Sequence, residues 1–166
     1  MIYRAIGVFI QNNEVSISFT EFHENAGSWS YELKAFSVFI AGKNNPGFQV
    51  NKFILENNLQ FQVALVSVFA AADLLVNGAA IAAETELPVI SGLNELDIAL
   101  GGNGDIFSLA ATKLGLTNQA LSNEHKSISV ALMGILRWRE EYNFLSSITG
   151  ASRDSIGGAI WLGMGG

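Results

Sequence analysis

The first forty residues hold three segments, "YRAIGVFI" (3–10), "EVSISFTEF" (14–22) and "WSYELKAFSVF" (29–39), separated only by "QNN" and "HENAGS". All three are rich in β-branched and aromatic residues, which favour extended backbone, and the second alternates Val15, Ile17 and Phe19 with Ser16, Ser18 and Thr20. Connections this short join antiparallel neighbours. The chain therefore opens as a β-meander, and everything downstream has to be compatible with it.

Beyond "AGKNNPG", residues Phe48, Val50, Phe53 and Ile54 recur at helical spacing. A buried strand is expected within 61–69, followed by the alanine-rich "NGAAIAAETE", where Asn77 can cap a helix, and by a short strand in "LPVIS". Helical signal returns over 106–115 and again over 123–141, where Ile128, Ala131, Leu132, Ile135, Leu136 and Trp138 share a face. Gly157 and Gly158 lead into a last short strand, Ala159 to Leu162. The sum is one α/β domain over 1–166, with an N-terminal antiparallel meander in a mixed sheet packed with helices.

Composition limits the function. With 49% hydrophobic against 14% charged residues, the chain can bury a core. A net charge of −6, and nine Lys plus Arg scattered from Arg4 to Arg153 without a cluster, argue against nucleic acid and anionic membranes as partners. Neither the short apolar stretch before Gln11 nor "VALVSVFAAADLL" (63–75), which carries Asp73, is long enough to cross a bilayer. The absence of cysteine excludes disulfides and thiolate metal sites and suits a cytoplasmic location. So few charges on an apolar chain point to surface covered by another subunit, a homo-oligomer.

Chemistry-bearing residues are sparse. His23, read as lying in a turn, and His125, near a helix start, have no carboxylate partner at metal-ligand spacing, so no metal site is expected from them. Of the four aspartates, Asp73, Asp97, Asp105 and Asp154, only Asp97 adjoins a glycine cluster, Gly101, Gly102 and Gly104. Asp97 either caps a turn or serves as a general base. The tail "TGASRDSIGG" offers Thr149, Ser152 and Ser155 with Arg153, which could gather round an anion or simply shape a turn.

Three longer segments, "NGAAIAAETELPVIS" (77–91), "LDIALGGNG" (96–104) and "LMGILRWREEYNFLSSITGASRDSIGGAIWLG" (132–163), resemble the anhydro-N-acetylmuramic acid kinase family. The resemblance implies a partial actin-like ATPase/ribonuclease H-like fold, with 1–104 similar to the kinase N-terminal part and 105–166 to its C-terminal end. It further implies ATP and Mg²⁺, an anhydro sugar substrate and a place in peptidoglycan and amino-sugar recycling. Asn77, Gly78, Asp97, Gly101, Gly102 and Gly104 match family positions, as do Arg153 and Asp154, so by resemblance Asp97 is the candidate catalytic residue and the others candidate sugar- or nucleotide-binding ones.

The chain departs from that family where chemistry is done. Where the family has a phosphate loop of the form IGLMSGTSLDG, it reads "IGVFIQNNEVS", keeping Gly7 but losing the hydroxyls and the acid. The segment bearing the family's catalytic base has no counterpart, and Lys126 of "HKS" stands in place of a glutamate. The resemblance thus implies an impaired kinase, a dimer or a partner of a full-length one. The alternatives are a small active phosphotransferase using Asp97 and a purely structural protein that forms oligomers.

Overall fold

Three strands, β1 (Ile2–Gln11), β2 (Glu14–Asn25) and β3 (Ser28–Ile40), pair as consecutive antiparallel hairpins. Each turn has a physical cause. Asn12 takes φ 55° between the paired Gln11 and Glu14, and Ala26 and Gly27 take φ 53° and 84° between Asn25 and Ser28. Left-handed backbone in two-residue loops matches the twist of a hairpin. The second loop is therefore shorter than "HENAGS" suggests, and His23 lies within β2 instead of in a turn.

These strands belong to a computed structural model that describes residues 1–40, 46–70, 75–93, 100–101, 107–116, 121–139 and 159–162. After β3 come α1 (Pro46–Glu56), β4 (Leu65–Ala70), α2 (Leu75–Thr85) and β5 (Val89–Ser91). Then follow α3 (Phe107–Leu114), α4 (Asn123–Trp138) and β6 (Ala159–Trp161). The sheet order is β3-β2-β1-β4-β5-β6, with β4 parallel to β1, β5 parallel to β4 and β6 antiparallel to β5. This is the expected α/β class, a meander in a mixed sheet covered by helices. Two boundaries differ from expectation. β4 starts at Leu65 because its register to β1 begins there, opposite Ala5, and Asn77 lies inside α2 instead of capping it. Among the described residues no helix is long and apolar enough to cross a membrane.

Both faces of the sheet are buried along β1, β2 and β4, while β3 stays half exposed. On one, Ile6, Val8, Val15, Ile17, Phe19, Val66 and Val68 pack with Val50, Phe53 and Ile54 of α1 and Ile81 of α2. On the other, Ala5, Phe9, Phe22, Leu65 and Ile90 pack with Ile128, Leu132, Ile135 and Leu136 of α4 and Leu109 of α3. The polar side of β2 consequently turns inward: Ser16, Ser18 and Thr20 are fully buried.

Small side chains explain how α4 sits so close. Ser18, Gly7 and Ser67 lie side by side in register across β2, β1 and β4 and form a shallow trough. A Cβ on Gly7 would run into the Ser127 carbonyl oxygen of α4, and one on Gly134 would stand 2.5 Å from the Ser67 Cβ. The hydroxyls of Ser16, Ser18, Thr20, Ser67 and Ser129 find no protein partner there. Each unmatched hydroxyl costs about 1–3 kcal/mol, so the trough is favoured for its small volume and not for its hydrogen bonding.

Candidate functional site

Open α/β sheets bind ligands outside the carboxyl ends of their strands, at the point where the strand order reverses. Here that point lies between β1, which continues into the meander, and β4, which continues towards β5. The strands reach it with matching sequences, Gly7-Val8-Phe9-Ile10 and Ser67-Val68-Phe69-Ala70, paired residue for residue. Parallel register thus sets Phe9 beside Phe69.

Their rings stack at 5.8 Å between centroids with 15° between planes. Phe107, the first residue of α3, meets both edge-on, at 5.7 Å from Phe9 and 5.1 Å from Phe69. Offset stacking and edge-on contacts are the arrangements that ring quadrupoles favour. The Lys126 ammonium stands 5.3 Å from the Phe9 centroid, within cation–π range. Phe9 is buried, while Phe69, Phe107 and Lys126 are half-buried and still reach solvent.

Helix α4 runs antiparallel to β1 and brings its N-terminus to the same edge. The Ser122 hydroxyl accepts from the His125 backbone N–H at 3.2 Å, capping the helix, and the Ser127 hydroxyl donates to the Glu124 carbonyl at 2.8 Å. Asn123 Nδ2 donates to Glu14 Oε2 at 3.4 Å, tying the helix start to the exposed β1–β2 hairpin. Among the described residues the edge therefore presents two half-buried rings, one ammonium and the side-chain amides of Gln11, Asn12 and Asn13, these last all exposed.

Residues 6–10 and 65–70 carry no ionisable side chain, and among the described residues no group of three His, Cys, Asp or Glu could hold a metal ion. All four aspartates, Asp97 and Asp154 included, lie outside the described residues, as do Gly102, Gly104 and Arg153. The described residues alone do not fit a Mg²⁺ centre.

Two of the sequence-matched glycines that are described, Gly7 and Gly78, meet close packing. Gly7, aligned with a phosphate-loop position, lies in mid-strand beneath α4 instead of facing a nucleotide. Gly78 lies within α2, where a Cβ would meet the Ser91 hydroxyl and, at 2.7 Å, the Trp161 indole nitrogen. That indole donates to the Ser91 hydroxyl at 2.9 Å, joining β5 to β6 beneath α2. Gly101 occupies a turn at φ 90°.

A charged cluster lies at the opposite end of β1. Arg4 Nε donates to Glu21 Oε2 at 2.9 Å, and His23 Nε2 lies 3.0 Å from Glu21 Oε1. The Arg4 hydrogen bond holds the Glu21 carboxyl below its ordinary 4.5; partial burial opposes this, and the charge of Arg4 and the His23 contact add to it. A lowered carboxyl favours the folded state above its unfolded value, and the gain is lost as pH falls through the folded value. In Arg4→Ala the Glu21 titration should return towards 4.5, read by NMR of the carboxyl carbon, and the acid limb of stability should shallow. An unmoved titration would show that the ion pair is idle.

Sheet order, paired faces and helix placement fit a partial ribonuclease H-like fold. Among solved structures the chain is similar to Thermus thermophilus RuvC, at 18% identity and TM-score 0.54, over 84% of this chain and 96% of that one. A structure of T. thermophilus RuvC in complex with Holliday junction substrate matches at 16% identity and TM-score 0.49, with the same coverage. No family model and no curated protein matches the chain.

These findings correct the kinase expectation. The similar structure with the higher TM-score is a RuvC, not a sugar kinase, and no family model supports the sugar-kinase or peptidoglycan-recycling reading. The retained Gly7 and Gly78 have local packing reasons of their own. ATP loses its ground with that assignment. Nor does charge alone exclude nucleic acid as a partner. Net charge governs long-range attraction to a polyanion; it does not govern contact by stacking at one edge.

Sequence reasoning missed the ring cluster. A signal was present: "GVFI" and "SVFA" both place a phenylalanine just before a strand end. Only parallel pairing of the two strands turns that echo into a site.

Proposed function

We propose that this chain is a nucleic-acid-binding domain that acts through the carboxyl edge of its sheet. The observation that carries this reading is the cluster of Phe9, Phe69 and Phe107 with Lys126 beside it, half open to solvent at the point where the strand order reverses. Aromatic rings with an adjacent cation are how proteins hold bases without reading sequence. The amides of Gln11, Asn12 and Asn13 add donors and acceptors. The fold supports the reading only as far as likeness to RuvC goes, and Asp97 has no part in it.

A chain of net charge −6 neutralises few phosphates, so affinity is expected to fall only shallowly with salt. Fluorescence anisotropy with labelled single-stranded, duplex and four-way DNA, with and without Mg²⁺, should detect binding that Lys126→Glu weakens about tenfold, through loss of the cation and gain of a repelling charge. Lys126 is half-buried in the first turns of α4, so a melting curve would accompany the variant. Failure of the parent chain to bind any of the three DNAs would sink the reading.

A further inference from the structure

Taking nucleic acid as the ligand class, as proposed above, we infer that the site selects unpaired bases over duplex. Three features of the ring cluster carry this. First, Phe9 and Phe69 already form a stack, with Lys126 over the Phe9 ring. The half-buried Phe69 and Phe107 are therefore the rings left to a ligand. A base can pack on a ring only if it has left its own helical stack. Paired DNA keeps the faces of its internal bases covered by their neighbours and offers mainly phosphates and groove edges.

Second, the described residues at this edge do not supply the run of cations that a duplex would require. Lys126 is the basic side chain placed against the rings, while Glu14 and Glu124 flank it on the hairpin and on α4. A site that follows two phosphate strands needs a run of Lys and Arg, whose contacts dominate duplex affinity. One ammonium suits the single phosphate next to a stacked base.

Third, the hydrogen-bonding groups at hand are amides. Gln11, Asn12 and Asn13 sit exposed on the β1–β2 hairpin, close enough in the fold that Asn123 reaches Glu14 of the same turn. Side-chain amides carry a donor and an acceptor together, the pattern that the pairing edge of an unpaired base presents. In a duplex that edge is occupied by the opposite base.

The test compares a thymine homopolymer, which forms no secondary structure, with a blunt duplex of mixed sequence at one salt concentration. The homopolymer is expected to bind about tenfold tighter, a stacking contribution of ordinary size. Phe69→Leu, which keeps an apolar side chain but removes the ring, should bring the homopolymer down to the duplex level. Phe107→Leu, on a different element, should do the same, so a folding defect in one variant leaves the other to decide. Equal or tighter binding of the duplex, with Lys126→Glu still weakening both, would overturn the selectivity and leave the binding site standing. Strong homopolymer binding that survives both ring substitutions would also overturn it. No binding of either DNA would overturn the selectivity and the proposed function together.

Discussion

Gly7→Ala is expected to cost about 3 kcal/mol of stability, the upper range for forcing atoms into a packed interior. The added Cβ would run into the Ser127 carbonyl of α4 and stand 3.0 Å from the Ala131 methyl. Neither obstacle is a flexible side-chain end, so relief requires α4 to move off the sheet. Moving the helix would in turn disturb Gly134 against Ser67 and the contacts of Ile128 and Leu132. Gly27→Ala makes the natural comparison: it has open space but a φ of 84°, and should lose about 1 kcal/mol through backbone strain alone. Urea unfolding of the two variants reads the difference directly. Equal losses would mean that α4 does not depend on the trough.

Much of the fold could be read from local pattern, because its elements are ones that local physics specifies well. The meander follows from β-rich segments and short turns, and the α4 face from helical periodicity; these appear close to where expected, except that β2 runs on through His23 and that Trp138 of the expected face is exposed. The serines of β2 were harder to place. Alternation of Val15, Ile17 and Phe19 with Ser16, Ser18 and Thr20 ordinarily marks a strand with one wet face, yet both faces are buried here. Small size, not polarity, is what that face of the sheet requires, and only the position of α4 reveals it.

The site was less legible for a related reason. Phe9 and Phe69 are sixty residues apart, and neither they nor Lys126 form a recognisable local motif. Their meeting depends on the parallel register of β1 and β4 and on the direction of α4. Glycine matches misled for the opposite cause. Gly7 and Gly78 stand where a phosphate-binding kinase has glycine, but a glycine required by helix packing looks the same in sequence as one required by a phosphate.

The largest loss is expected from emptying both cores at once. Phe53 of α1 and Leu132 of α4 are fully buried on opposite faces of one sheet. Alone, Phe53→Ala should cost about 3–5 kcal/mol and Leu132→Ala about 2–5, the transfer loss plus the cavity left behind. The sheet lies between the two sites and they share no direct partner cluster, so their costs should add to within about half a kcal/mol. That sum, about 5–10 kcal/mol, matches the whole stability of an ordinary domain, and the double variant should be largely unfolded at room temperature by circular dichroism. The singles carry a sharper test of how the fold is coupled. β1 contributes Ala5 and Phe9 to one core and Ile6 and Val8 to the other, so neither core can melt while the other keeps its central strand. Each single variant should therefore unfold in one transition, with the same midpoint whether followed by tryptophan fluorescence or by backbone signal. Two separate transitions in Leu132→Ala would mean that the α1–α2 side holds the sheet together on its own, with α4 and the ring cluster it carries docked as a separable layer.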